Sequence, residues 1–334
     1  MVRVAMLSMA HVHAAGYAAQ LQKNPDAEIV CVWDDDPARG RPAAAKLGVP
    51  FEDDLHDLLG DDGIDGVVIN SETNKHFDLI AAAAESGKHV FTEKALTIQT
   101  READELVERV ERAGIKFMIS LPQRSSPETL FLKQCLDEGL IGQVTLMRAR
   151  IAHSAALDRW FKDGSLWFGE AEKAGGGSLF DLGCHTVDVM RWFLGEPESV
   201  TAMTTNLAGA YDIDDQCVAL VRFRSGALGI LDVSWVQRAG PNSTEIYGTE
   251  GFCGKGLPGQ SVQVTSRKVE VEGLAGTFSP SRLPEPLPSP LEQWVAAVDR
   301  GEPMRITIRD GRNLTQLLEG IYTSAREGRE HRFG

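Results

Sequence analysis

The first 120 residues alternate short apolar runs of strand type with longer segments of helical type. The strand-type runs are Val2–Leu7, Glu28–Trp33, Gly66–Asn70, His89–Thr92 and Lys116–Ser120. The helical patterns are His13–Gln22, Pro37–Leu47, Phe77–Glu85 and Thr100–Ala113. Strands joined through helices lie parallel in one sheet, which the helices cover. The alternation therefore predicts an α/β fold that begins with a parallel sheet.

The turn after the first strand is unusual for a sheet of this kind. A dinucleotide-binding (Rossmann) sheet usually has Gly-x-Gly-x-x-Gly here, which lets the pyrophosphate approach the helix N-terminus. This chain reads Ser8-Met9-Ala10-His11-Val12-His13, with no glycine before Gly16. Ser8 and Ala10 are small and can still allow the turn. Backbone N–H groups and the helix dipole, rather than glycine itself, hold the phosphate. We expect Ser8, Ala10, His11 and Val12 to contact the cofactor.

An acidic residue follows the second strand at the position that reads the adenosine ribose. Asp34 lies roughly 20 residues beyond the loop, where a carboxylate accepts hydrogen bonds from ribose hydroxyls. It would repel a ribose phosphate, so NAD is favoured and NADP is less favoured. The alternative is that Asp34, Asp35 and Asp36 form an ordinary polar turn before Pro37.

Polar side chains also follow two later strands, at the sheet edge where open α/β sheets bind ligands. Ser71, Asn74 and His76 follow one strand, and Glu93 and Lys94 follow the next. A lysine close to a cofactor can hold a substrate hydroxyl and help to relay its proton, although most lysines are simply solvated. We predict that these residues complete the cofactor site.

Three glycines, Gly175–Gly177, precede a segment that reads as a partly buried helix ending at Gly195. Within that helix Asp181, His185 and Asp188 are spaced four and three positions apart, which places them on one face. A histidine exchanges a proton near neutral pH, and a carboxylate one turn away can orient it. The alternatives are a solvated face or a structural hydrogen-bonded pair. Zinc is conceivable, but no second cluster supports it, so no metal is predicted.

A later segment rich in aromatic and charged side chains suits carbohydrate binding. It runs from residue 150 to residue 168 and includes His153 and Trp160. Aromatic rings stack on the apolar faces of sugars, while charged groups bind hydroxyls; the alternative is a domain-interface loop. Arg124, just past the last strand of the first sheet, is a further candidate for contact with substrate.

Charge, length and cysteine content limit the class of protein that this chain can be. The formal net charge of −14 over 334 residues disfavours nucleic acid and anionic membranes, and this length suits two domains. The five cysteines are scattered, with no Cys-x-x-Cys pair. No signal peptide or membrane-spanning run is recognised, so we expect a cytoplasmic protein.

Several motifs in a fixed order resemble the glucose-fructose oxidoreductase, inositol dehydrogenase and rhizopine-catabolism (Gfo/Idh/MocA) family. They are Val90–Leu96, Gly175–Gly177, Asp181–Asp188, Asp214-Asp215, Ser225–Gly229 and Ser234-Trp235. The resemblance implies a Rossmann domain at residues 1–121 and an α/β domain at residues 122–334. The second domain would contain a large open, mainly antiparallel sheet. This domain would bind substrate, and its sheet would form the contact of a homodimer or homotetramer.

The same resemblance implies an activity and its residues. Lys94 matches the lysine of the family's Glu-Lys-Pro motif, with Ala95 in place of the proline. Asp181 and His185 match the catalytic aspartate and histidine and would also contact substrate. The implied reaction is NAD(P)-dependent hydride transfer to or from a secondary alcohol of a sugar or cyclitol. Two alternatives remain open: NAD-assisted glycoside cleavage by transient oxidation and elimination, and a non-catalytic sensor.

Overall fold

The computed structural model describes residues 1–269 and 277–334, and its internal contacts divide the chain into two compact units. The first unit comprises Met1–Leu121, Phe161–Gly175 and Pro288–Thr315. The second comprises Pro122–Trp160, Gly176–Leu287 and Gln316–Gly334. Each unit is a single sheet with its own helices.

The described ranges contain fifteen strands and ten α-helices. The strands are β1 (Val2–Leu7), β2 (Ala27–Trp33), β3 (Phe51–Glu52), β4 (Gly66–Ile69), β5 (His89–Thr92), β6 (Phe117–Ile119), β7 (Val144–Ala152), β8 (Pro197–Thr205), β9 (Gln216–Phe223), β10 (Leu228–Ser234), β11 (Thr244–Gly248), β12 (Gly251–Leu257), β13 (Gln260–Ser266), β14 (Thr277–Phe278) and β15 (His331–Arg332). The α-helices are α1 (Ala14–Lys23), α2 (Pro37–Leu47), α3 (Leu55–Gly60), α4 (His76–Glu85), α5 (Thr100–Ala113), α6 (Pro127–Asp137), α7 (Ala171–Ala174), α8 (Cys184–Leu194), α9 (Pro290–Arg300) and α10 (Ile308–Glu327).

The first unit has a six-stranded parallel sheet in the order β3-β2-β1-β4-β5-β6. This is the strand order of a dinucleotide-binding fold, and the strand order reverses between β1 and β4. β1, β4 and β5 are almost wholly buried, as strands covered by helices on both faces must be. The predicted parallel sheet is confirmed, and its carboxyl edge gathers the loops after β1, β2, β4 and β5.

The second unit has a sheet in the order β14-β13-β12-β11-β7-β10-β9-β8-β15 within the described ranges. Its strand pairs are antiparallel except for β7 and β10, which are parallel. β9 alternates strictly, with Cys217 and Val221 buried while Leu220 and Arg222 are exposed. The large, mainly antiparallel sheet implied by the resemblance is confirmed.

The helix expected after the three glycines begins differently from the prediction. Leu179–Gly183 forms a π-helical turn, and the α-helix α8 follows it and ends before Gly195, whose φ is +83°. A π-turn contains more residues than an α-turn, so it changes the angular spacing of side chains around Asp181. Single π-turns of this kind are frequent at functional sites.

Within residues 1–269 and 277–334, none of the helices combines the length and the apolar character that crossing a membrane requires. All five cysteines are buried free thiols.

Candidate active-site residues

The loop after β1 is shaped by side chains where a related fold would use glycine. Ser8 adopts a left-handed conformation with φ of +65°, a region in which glycine is usually found. Its hydroxyl accepts the amide proton of Ala10 at 3.2 Å. The amide of Met9 donates to Asp34 Oδ2 at 2.8 Å, and the amide of His11 donates to the Asn70 carbonyl at 2.9 Å. The turn is therefore built without glycine, and protein acceptors hold its amides.

His11 is buried beside aromatic residues that are distant in the sequence. Its ring lies 5.9 Å from Trp167 and 5.2 Å from Phe168, measured between ring centroids. The indole N–H of Trp167 donates to the carbonyl of Ala10 at 3.1 Å. Val12 is 58% exposed. Residues 161–175 thus brace the loop, and Val12 is its most open predicted contact.

Asp34 is buried and forms a two-point ion pair. Arg39 donates to it through Nε at 2.9 Å and through Nη2 at 2.6 Å. Asp35 and Glu72 also lie close to Arg39, and Lys75 donates to both of these carboxylates. Three carboxylates therefore surround two cations. Desolvation disfavours the charged Arg39 and Lys75, but the carboxylates outweigh that effect and raise both pKa values.

Three buried polar atoms at the carboxyl edge have no hydrogen-bond partner among the described residues. They are Asn70 Oδ1, Ser71 Oγ and Thr92 Oγ1, in residues that are fully buried. Buried polar groups are nearly always satisfied, so such a group points to a bound molecule that supplies the missing partner. They follow or end β4 and β5, where this fold binds a dinucleotide. The edge therefore fits NAD or NADP.

Glu93 is the hub of a buried hydrogen-bond network. Its carboxylate accepts from the hydroxyl of Tyr17, from the amide of Lys94 at 3.0 Å and from His13 Nδ1 at 2.9 Å. His11 Nε2 lies 3.6 Å away. Burial by itself would raise the pKa of Glu93, but His11, His13 and Lys94 hold that pKa well below its usual range. Glu93 is therefore an ionised acceptor.

Lys94 is 5% exposed and is joined to Ala95 by a cis peptide bond. His76 lies beneath this segment, with Nδ1 donating to the Ala95 carbonyl at 2.8 Å. Desolvation lowers the pKa of His76, which keeps the ring neutral. Asn74 is exposed on the short turn before α4. His76 thus fixes the backbone that carries Lys94, and its contact with a cofactor remains a prediction.

In the second unit, the glycine turn before α8 is packed against Asp214. Its carboxylate accepts the amide proton of Gly177 at 2.8 Å, the hydroxyl proton of Ser178 at 3.0 Å and that of Tyr322 at 2.7 Å. A β-carbon at Gly176 would overlap Tyr322, and one at Gly177 would overlap the Asp214 backbone. Burial raises the pKa of Asp214, although these hydrogen bonds oppose the shift. Both glycines are needed for close approach.

Asp181 and His185 lie at the start of the helical segment and are both partly exposed. Trp235 Nε1 donates to Asp181 Oδ2 at 3.2 Å, which orients that carboxylate. Asp188 instead forms a buried two-point ion pair with Arg124, at 2.9 Å and 2.6 Å. Arg124 is 8% exposed, so this pair has a structural role in the second unit. The contact of Arg124 with substrate remains a prediction.

The substrate candidates His153 and Trp160 are stacked, with ring centroids 4.6 Å apart. Trp160 is 50% exposed, so one face of its ring is available. The amide of Ala155 donates to His153 Nδ1 at 3.2 Å, which fixes the ring. An exposed aromatic ring held by a neighbour is a suitable surface for the apolar face of a sugar.

Several positioning residues escaped the sequence analysis. Arg39, Tyr17 and Tyr322 carry no motif signal, because each contacts its partner only through the tertiary fold. The Asp-Asp and Ser-Trp motifs were noted without a role; Asp214 and Trp235 now have one. Histidine at the place of the third glycine was the one local signal available.

Comparisons with known proteins agree with this fold. Residues 3–121 match the family described as "Oxidoreductase family, NAD-binding Rossmann fold", and residues 129–253 match the "GFO/IDH/MocA C-terminal domain". The scyllo-inositol 2-dehydrogenase (NAD(+)) of Bacillus subtilis (strain 168) is 31% identical over 253 residues, covering 73% of this chain and 71% of that one.

Two further relatives extend the match. The myo-inositol 2-dehydrogenase of Thermotoga maritima is 27% identical over 307 residues, covering 89% of this chain and 88% of its own. The crystal structure of GenD2 from gentamicin A biosynthesis in complex with NAD has a TM-score of 0.82 at 28% identity, covering 100% and 96% of the two chains. This chain therefore belongs to the GFO/IDH/MocA family of oxidoreductases.

Proposed function

We propose that this protein is an NAD-linked dehydrogenase that acts on a secondary alcohol of a sugar or cyclitol. The observation that carries the proposal is that the sequence of this family member contains Lys94, Asp181 and His185. The relatives named as inositol dehydrogenases support the substrate class. The nicotinamide, when bound, accepts or returns the hydride.

The protein's own groups handle the proton and hold the substrate. His185 takes the proton of the reacting hydroxyl as a general base and returns it in the reverse direction. Asp181, oriented by Trp235, binds a neighbouring hydroxyl or orients His185. Lys94 donates a hydrogen bond to the reacting oxygen and stabilises the charge that develops there. His153 and Trp160 offer a stacking surface for the ring of the substrate.

The substitution His185→Ala tests this assignment. We expect turnover to fall by about 10²-fold or more, the usual contribution of a general base, while NAD affinity stays nearly unchanged. His56→Ala is the matched control, because His56 is an exposed histidine on α3. A near-normal rate in His185→Ala would contradict the assignment. Accumulation of free NADH with a polyol separates dehydrogenation from elimination, in which NAD shows no net change.

Cofactor choice is a second part of the proposal. The carboxylates of Asp34, Asp35 and Glu72 outnumber the cations Arg39 and Lys75, so a ribose phosphate would add repulsion there. We expect wild-type protein to bind NAD at least tenfold more tightly than NADP. The variant Asp34→Ala releases Arg39 and should narrow that ratio. Equal affinities in the wild-type protein would contradict the preference.

We also propose that the second sheet pairs with another copy of this chain. Its outer face exposes Met203, Val218, Leu220 and Leu228 on neighbouring strands. A contiguous apolar patch of this kind marks an interaction surface. Leu220→Glu should shift the mass measured by light scattering from oligomer to monomer. Leu207→Glu, at an exposed leucine off the sheet, should not.

The buried thiols are consistent with the cytoplasm as the compartment.

A further inference from the structure

His13 replaces the third glycine of the phosphate-binding loop and lies at the N-cap of α1. Its side chain is 52% exposed, and its Nδ1 lies 2.9 Å from Glu93 Oε1. Because Glu93 is ionised, it can only accept, so Nδ1 carries the proton. A buried carboxylate therefore fixes the orientation of a half-exposed imidazole at the start of a ten-residue helix.

Most of the backbone donors of this loop are already engaged. The amides of Met9, Ala10 and His11 donate to Asp34, Ser8 and Asn70 respectively. The next two partnered amides belong to His13 and Ala14. They donate to His11 Nδ1 at 3.2 Å and to the His11 carbonyl at 3.0 Å. Five amides around the turn are therefore committed to protein acceptors.

We propose that the His13 side chain is a ligand of the dinucleotide's diphosphate and supplies the donor that these amides do not. This inference rests on the proposed function, since it names a residue of the same cofactor site. A helix N-terminus favours an anion, and the imidazole fixed there donates a directed hydrogen bond to it only from a protonated Nε2, because Nδ1 already donates to Glu93. When Nε2 also carries a proton, the ring is a cation between the Glu93 carboxylate and the phosphate. Glu93, 1% exposed, is itself shielded from the anion.

A divalent metal is the other ligand that His11, His13 and Glu93 could take, since their donor atoms lie within 4.8 Å of one another. The tautomer of His11 disfavours this. Its Nδ1 accepts the His13 amide proton, so the neutral ring carries its proton on Nε2, the atom that faces Glu93. A metal ligand needs that nitrogen deprotonated. The diphosphate requires no such change.

The test compares ligands that differ by the diphosphate. Binding of adenosine, ADP and ADP-ribose is measured by calorimetry in metal-free buffer for wild-type protein, His13→Ala and His56→Ala. We expect His13→Ala to lower the affinity for ADP and ADP-ribose by about tenfold, which is the size of one charge-assisted hydrogen bond. The affinity for adenosine should stay unchanged. His56→Ala should match the wild-type protein with all three ligands.

Each other outcome overturns the proposal. Unchanged ADP affinity would mean that His13 does not contact the diphosphate. An equal loss of affinity for adenosine would mean that the loop has collapsed. A loss confined to ADP-ribose would place His13 at the distal ribose. If His13→Ala does not fold, His13→Asn keeps a good N-cap residue without the imidazole and should show the same loss. Nucleotide binding requires no turnover. A failure of the dehydrogenase assay therefore leaves this result readable, and a failure here leaves the dehydrogenase assay standing.

Discussion

The two loops that bear the candidate residues solve the same backbone problem in opposite ways. After β1, a turn that glycine usually makes is formed by Ser8 in a left-handed conformation, with Asp34 and Asn70 holding its amides. Before α8, Gly176 and Gly177 leave no room for a side chain, because a β-carbon there would overlap Tyr322 or Asp214. A glycine needed for its conformation can be replaced where hydrogen bonds compensate. A glycine needed for space cannot.

Gly177→Ala should give one of the two largest effects on this comparison. The added methyl group overlaps backbone, which cannot rotate away, so we expect a loss of about 3 kcal/mol in the free energy of unfolding. Gly16→Ala is the control, because nothing lies near its β-position on the exposed face of α1. It should stabilise the helix by about 0.5–1 kcal/mol. Urea midpoints measure both, and a neutral Gly177→Ala would refute the requirement for space.

Glu93→Gln tests the network that supports the glycine-free loop. Removing a buried charge that three donors surround should cost about 3 kcal/mol at neutral pH. The pKa of Glu93 is lower in the folded state than its ordinary value of 4.5, so the ionised carboxylate stabilises the folded state above pH 4.5. That contribution is lost as the pH falls through the folded-state pKa. The gap in stability between wild-type and variant should therefore narrow below pH 4.5. A gap independent of pH would show that the charge is not responsible.

Trp235→Phe sharpens the comparison on the side of the second unit. The indole ring is fully buried and donates to Asp181, so the variant keeps most of the packing and loses the orienting bond. We expect kcat/KM to fall by about tenfold, equivalent to about 1.4 kcal/mol. Trp294→Phe, which loses a similar bond to the Lys116 carbonyl in the first unit, is the control. Equal activity in the two variants would remove the orienting role.

The difference between two substitutions at Ser8 should be the smallest effect. Ser8→Ala keeps the left-handed strain and loses the hydroxyl that caps Ala10, whereas Ser8→Gly loses the hydroxyl and relieves the strain. The glycine variant should be more stable than the alanine variant by about 1 kcal/mol. Thermal unfolding of both proteins measures the difference. The reverse order would mean that φ at residue 8 costs nothing.

Much of the first unit could be predicted from local patterns. Val2–Leu7, Pro37–Leu47, His89–Thr92 and Thr100–Ala113 have the bounds that their apolar periodicity indicated. The π-turn at Leu179–Gly183 could not be predicted, because its residues have ordinary helical spacing and the wider turn depends on packing. Asp188 illustrates the same limit. Spacing alone could not indicate that Arg124, 64 residues away, forms a buried ion pair with it.

The sequence by itself determined the parallel sheet and the positions of Asp34 and Lys94 after their strands. These follow from periodicity and chain order, which are local properties. Only the tertiary structure decided that Arg39 pairs with Asp34, that Glu93 binds Tyr17 and His13, and that Trp235 orients Asp181. Hydrogen bonds between distant residues depend on which strands become neighbours. Burial then decides which polar groups must find a partner.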